Sequence, residues 1–228
     1  MAAVPYIVYM PEKDRLLMLV SCDYPYHAEV LFSDDRGATW SDPKPAILGK
    51  DGMPLPALGT SLCYLGDGNV LLYAGVRWFS RDYGQTWKES VAVEPTPEGM
   101  PWAIWDPPLV ERDAKTGKLV RLIETGYEQS GHKDSQAFLR SSTDSGATWS
   151  QAAKIAQWNG VNEVALLRAA NGRLVAACRT IIPVRLQSET LDHLAEAVAV
   201  FGSDGRVRLH NPAFQRMWKL TAEALDAH

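Results

Sequence analysis

Short apolar runs separated by turns bearing Gly, Pro, Asn and Asp recur over most of the chain. Their length and punctuation predict strands and hairpins. The first unit places Tyr6-Ile7-Val8-Tyr9 and Leu16-Leu17-Met18-Leu19-Val20 around the turn Pro11-Glu12-Lys13-Asp14. Ala28-Glu29-Val30-Leu31-Phe32 follows, with a short outer strand near Pro45-Ala46-Ile47-Leu48. The second unit repeats the plan with Leu62-Cys63-Tyr64-Leu65, Val70-Leu71-Leu72-Tyr73-Ala74, Arg77-Trp78-Phe79 and residues 89–93. The third has Pro108-Leu109-Val110-Glu111, residues 119–124, Ala137-Phe138-Leu139-Arg140 and residues 152–156, with a polar loop expected over residues 127–135. A fourth opens with residues 163–168, turns at Asn171-Gly172 and returns through residues 174–179. Asn-Gly between apolar runs is a strong hairpin signal. No third strand follows directly, so the fourth unit is expected to lack its outer strands.

Within this pattern one octapeptide occurs three times: Ser33-Asp34-Asp35-Arg36-Gly37-Ala38-Thr39-Trp40, Ser80-Arg81-Asp82-Tyr83-Gly84-Gln85-Thr86-Trp87 and Ser142-Thr143-Asp144-Ser145-Gly146-Ala147-Thr148-Trp149. Each reads Ser-x-Asp-x-Gly-x-Thr-Trp and follows the third strand of its unit. A recurrence of this size marks stacked supersecondary units such as propeller blades. The residue types suit a rigid turn: Asp accepts from backbone N–H groups just after it, and Gly takes a positive φ. The Trp residues are expected to be largely buried. Three equivalent Asp residues on separate blades cannot converge on one site, so Asp35, Asp82 and Asp144 read as structural.

These octapeptides resemble the Asp-box of the sialidase (neuraminidase) superfamily, and the resemblance covers about residues 4–183. It implies a mainly β fold: part of a sialidase-like propeller of antiparallel sheets, with about four of the family's six blades. It also implies that each box joins the third and fourth strands of a blade, on the face away from the active site. Asp-boxes occur on propellers that are not sialidases, so the box speaks to fold before function.

After about Pro183 the pattern changes. Residues 186–197 carry Leu, His, Glu and Ala at helical spacing. Ala197-Val198-Ala199-Val200-Phe201, the turn Gly202-Ser203-Asp204-Gly205 and Arg206-Val207-Arg208-Leu209-His210 predict a hairpin, and Asn211-Pro212 opens a helix over residues 213–218. This stretch resembles the entrance to a PAS domain of bacterial sensor histidine kinases, with only the first third or so present. The expected division is a propeller fragment over residues 1–183 and a helical linker with a short α/β PAS-like segment over residues 184–228.

Composition narrows the classes. A net charge of −4 argues against nucleic acid as a partner. No run reaches the roughly 18 apolar residues of a membrane span. The opening residues lack the basic and apolar regions of a signal peptide, although the sialidase family is often secreted or periplasmic; localisation is left open. The chain enters a strand almost at once, which reads as a truncated start. Cys22, Cys63 and Cys178 form neither a disulfide framework nor a metal pattern, and the five His are scattered. No metal or cofactor is expected, and an open propeller is expected to self-associate through unburied sheet edges.

Sialidases hold a sugar carboxylate with three Arg side chains, whose planar forks match it in charge and geometry. They use a Tyr nucleophile activated by a Glu, and an Asp acid. The hairpin Asn162-Glu163-Val164-Ala165-Leu166-Leu167 to Arg173-Leu174-Val175-Ala176-Ala177-Cys178-Arg179 resembles the family's. The resemblance makes Glu163 the base and Arg179 a carboxylate binder, against an alternative of a strand-end pair of opposite charge. Asp106, in Trp105-Asp106-Pro107-Pro108, is the acid candidate, against plain turn chemistry. Arg77 is a second carboxylate-binding candidate, against a stacked structural Arg beside Trp78. The implied partner is a sialylated or other acidic glycan. No Tyr follows Arg179, so the domain is expected to be an incomplete and inactive sialidase-like glycoside hydrolase. A non-catalytic glycan- or protein-binding propeller and a sensor fragment are the alternatives.

Overall fold

A computed structural model describes residues 2–23, 26–128, 135–180, 197–201 and 206–221. Four sheets follow one another along the chain, mainly antiparallel and with their main strands hydrogen-bonded in chain order, as in a propeller blade; the fourth contains one parallel pair. The first joins β1 (Ala2–Met10), β2 (Arg15–Asp23), β3 (Tyr26–Ser33) and β4 (Lys44–Pro45). The second joins β5 (Ser61–Gly66), β6 (Asn69–Ala74), β7 (Val76–Ser80) and β8 (Glu89–Val91). A short strand β9 (Trp102–Ala103) precedes the third sheet, which runs β10 (Leu109–Arg112), β11 (Leu119–Glu128), β12 (Gln136–Ser142) and β13 (Ala153–Asn159), with β9 pairing β11. The fourth joins β14 (Val161–Arg168), β15 (Leu174–Thr180), β16 (Val198–Phe201) and β17 (Val207–His210). One α-helix, α1 (Pro212–Trp218), follows. Among the described residues no helix is long and apolar enough to cross a membrane.

The chain forms two compact units. The first comprises residues 1–94, 110–122 and 142–149, the second residues 95–109, 123–141 and 150–228. In the first, alternation along the strands turns Met10, Leu17, Leu19, Ala28 and Val30 inward, against Leu62, Val70, Leu72 and Trp87. Ile7 and Tyr9 lie on the opposite face and stay exposed. Each buried aliphatic chain here is worth about 1.5–3 kcal/mol relative to exposure. In the second unit Tyr127, Ala137, Val161, Val164 and Cys178 form one cluster, and Val175, Ala197 and Ala213 another.

Two sequence expectations change. The expected outer strand of the first unit is only the two residues of β4, because Ile47 turns inward and Leu48 makes an isolated bridge to Pro54. The fourth sheet does not lack its outer strands: β16 pairs with β15 in parallel, Ala176 opposite Val198 and Cys178 opposite Val200. A parallel neighbour needs a crossover of a dozen or more residues, and residues 181–197 are long enough to supply one. The helix expected over residues 186–197 falls almost wholly outside the described residues. The expected hairpin and helix after it are present as β16, β17 and α1. Asn211 caps α1: its side-chain oxygen accepts from Phe214 N–H at 3.0 Å and from Val198 N–H at 2.9 Å.

The three octapeptides form the same turn. In the first, Ser33 Oγ donates to Asp35 Oδ1 and accepts from Gly37 N–H, both at 2.8 Å, while Thr39 N–H donates to Asp35 Oδ1 at 2.8 Å. Ser80/Asp82/Thr86 and Ser142/Asp144/Thr148 repeat the pattern. The glycines take positive φ as expected, and so do the residues before them, Arg36, Tyr83 and Ser145. Trp87 is buried, whereas Trp40 and Trp149, expected to be largely buried, are partly exposed. Bonds from the Thr hydroxyl, the Thr N–H and the Ser hydroxyl hold Asp35 and Asp144 down to about 2. At Asp82 burial pulls upward, but the Thr86 and Ser80 bonds outweigh it and the pKa is lowered.

Carboxylates depressed in the folded state stabilise it above their unfolded pKa of about 3.9 and lose that contribution as pH falls through the folded value. Stability should therefore fall between about pH 4 and the folded value near 2 that Asp35 and Asp144 share. Denaturant midpoints for Thr39→Val and Thr148→Val should show a flatter decline than the parent chain. An identical decline would mean that these turns do not set the acid limb.

Candidate active site

Asp106, Glu163 and Arg179 line one open cleft of about 180 Å³ in the second compact unit, with Ala165, Ala177 and Cys178. The hairpin of β14 and β15 explains the meeting. Val164 lies opposite Cys178 and Ala165 opposite Ala177, but the register slips between Val161 and Val164. That irregularity re-aims Glu163. Glu163 and Arg179 then stand together at the end of the hairpin remote from its turn at residues 169–173. Arg179 Nη1 donates to Glu163 Oε1 at 2.6 Å. The Arg179 side chain keeps 46 % of its exposure and Glu163 19 %, so the guanidinium faces solvent while the carboxylate is more enclosed.

Asp106 comes from the stretch between β9 and β10, where Pro107 and Pro108 restrict the backbone and Trp105 packs on the cluster around Tyr127 and Val164. Burial, and then the negative charge of Glu163, push the Asp106 carboxyl up to about 6. It therefore keeps its proton in weakly acidic solution, as a proton donor must. Cys178 is buried, and burial pushes its thiol up to about 12, so it is packing and not a nucleophile. The two Ala and Cys178 were not legible as lining residues, because nothing in their spacing separates them from any other strand positions.

Arg77 belongs to the other unit. It is buried, with its guanidinium 4.6 Å from the Trp149 ring centroid and Nη1 3.9 Å from Glu94 Oε2. The stacking partner is thus the Trp of the third octapeptide and not the adjacent Trp78. Tyr127, expected at the edge of a polar loop, is a buried strand residue of β11.

Asp35, Asp82 and Asp144 are each held by bonds within their own turns. A family model described as "BNR repeat-like domain" matches residues 72–196. An alignment 139 positions long, covering 53 % of this chain and 13 % of the relative, is 29 % identical to a xyloglucanase of Paenibacillus sp.. A 44-residue stretch, 19 % of this chain, is 59 % identical to 6 % of the sensor protein DivL of Caulobacter vibrioides. The chain thus spans a small part of the curated relatives it matches. The Hadza microbial sialidase Hz136 superposes with a TM-score of 0.57 at 15 % identity, over 90 % of this chain and 52 % of that one. Four successive blade-like sheets, the sialidase-like fold and a family match over more than half of the chain place it together: it belongs to the BNR repeat-like domain family.

Proposed function

We propose that the second compact unit carries the acid, base and one carboxylate-binding arginine of a sialidase-like glycoside hydrolase site, in a chain that binds an acidic sugar without turning it over. The observation that carries this reading is the raised pKa of Asp106, about 6, beside Glu163 in the cleft that Arg179 lines. A carboxyl that keeps its proton near neutral pH suits an acid, and a second carboxylate beside it suits a base. Arg179 supplies a fork for a sugar carboxylate. Arg77, stacked and buried, supports this role least. The cleft residues include no Tyr, and Tyr127, packed in the cluster with Val164 and Cys178, is buried and does not offer a nucleophile.

The test combines turnover and binding with the full chain. A fluorogenic sialoside should give no detectable hydrolysis. Free sialic acid should bind weakly, at roughly millimolar Kd, about −4 kcal/mol, with binding lost in Arg179→Ala. A xyloglucan oligosaccharide, which has no carboxylate, should not compete. Turnover abolished by Glu163→Ala would refute the claim of missing chemistry. Binding of the neutral oligosaccharide unaffected by Arg179→Ala would refute the acidic-sugar reading.

A second reading concerns the end of the chain. We propose that residues 187–228 are the opening of a PAS fold, supported by the hairpin-and-helix order of β16, β17 and α1 and by the similarity to a sensor protein. Extending the chain by the remainder of a PAS domain should release β16 from β15, read as loss of hydrogen-exchange protection at residues 176–179. Retained protection would favour β16 as a permanent part of the fourth sheet.

A further inference from the structure

Cysteine and histidine spacing along the chain suggests no metal site, but the first sheet brings three donors together across two strands. In the antiparallel register of β2 and β3, Cys22 stands opposite His27 and Val20 opposite Glu29. Directly opposed residues share a face, as do residues two apart, so Cys22, His27 and Glu29 project from the same side. One donor atom from each lies within 4.8 Å of the other two. His27 Nε2 is already 3.1 Å from Glu29 Oε1. The side chains of His27 and Glu29 keep only 14 % and 19 % of their exposure, so the cluster is partly withdrawn from water yet open to an entering ion.

We infer that Cys22, His27 and Glu29 bind a divalent transition ion of the Zn²⁺ class. Thiolate, imidazole and carboxylate are the three donors this ion takes. The mixed sulfur, nitrogen and oxygen set does not suit Mg²⁺ or Ca²⁺, which are bound through oxygen. Three protein ligands leave the fourth tetrahedral position to water. On binding, the Cys22 thiol loses its proton to solvent as the sulfur–metal bond forms. The His27–Glu29 contact gives way to one nitrogen–metal and one oxygen–metal bond, and no redox change is involved. The ion would tie β2 to β3 beside the short connection at residues 24–25.

Titration of the full chain with Co²⁺ should produce a thiolate-to-metal charge-transfer absorption that added Zn²⁺ bleaches. Cys63 and Cys178 are buried, so the band reports Cys22, and Cys22→Ser should abolish it. His27→Gln should weaken Zn²⁺ binding by more than the roughly 10- to 100-fold that loss of an outer-shell partner costs. In the unaltered chain, bound Zn²⁺ should protect Cys22 from alkylation, a readout that needs no variant to fold. Absence of the band at saturating Co²⁺, its persistence in Cys22→Ser, or unchanged alkylation of Cys22 with Zn²⁺ would each overturn the site.

Discussion

Glu124→Ala should cost about 3–5 kcal/mol, the range for breaking a buried ion pair by removing one partner. Arg140 and Glu124 are 3 % and 2 % exposed, and Arg140 Nε donates to Glu124 Oε1 at 3.0 Å. The guanidinium also lies 4.2 Å from the centroid of the Trp102 ring. That stacked, desolvated contact is worth about 2 kcal/mol, but it does not neutralise the charge. Removing the carboxylate leaves a buried cation against an aromatic face. For a chain of this size each kcal/mol is about 2–4 °C in Tm, so the melt should fall by roughly 6–20 °C. Glu124→Leu combined with Arg140→Met should recover most of the loss, because an apolar pair of similar volume replaces a buried ion pair at little cost. A loss below about 1 kcal/mol for Glu124→Ala would show that water reaches the pair.

None of this pair was legible in the sequence. Glu124 and Arg140 sit at apolar-patterned positions of two strands, and only the pairing of β11 with β12 shows that each charge meets the other. What was legible is whatever repeats or lies close in sequence. The octapeptides announced their turns, because Ser, Asp, Gly and Thr within eight residues satisfy one another. The Asn171-Gly172 hairpin likewise fixed that Glu163 and Arg179 share an end, since a tight turn dictates register. Asp106 was a weaker reading, as its proximity to Glu163 depends on the path of residues 104–108. The donor set Cys22, His27 and Glu29 escaped for a related reason: a metal site across an antiparallel pair has no fixed sequence spacing. The parallel pairing of β16 with β15 escaped because a crossover partner carries no local signal, unlike a hairpin partner.

Gly84→Ala should be the most damaging substitution among the three repeated turns, although the glycines occupy equivalent places. Gly84 has φ +80°, where any Cβ is strained, and an added Cβ would lie 2.5 Å from Leu17 Cδ2. Leu17 is fully buried in the first unit's core, so it has no empty space to move into. The turn after β7 is therefore pressed onto the first sheet of the same unit, and the glycine is required twice over: for its backbone conformation and for the approach. The strained conformation costs about 1–3 kcal/mol and overpacking a further 1–3 kcal/mol or so. Gly37 and Gly146 share the positive φ, but a Cβ there meets side chains at 3.5 Å and 3.6 Å, ordinary contact distances. Gly37→Ala and Gly146→Ala should accordingly lose only the conformational part. Denaturant midpoints of the three single variants decide the matter. Equal losses would mean that the backbone conformation alone requires glycine and that the turn does not clamp the second sheet onto Leu17. Partial recovery of Gly84→Ala by Leu17→Ala, which removes the opposing methyl groups, would confirm the clamp, because the two substitutions would then be less damaging together than their separate losses added.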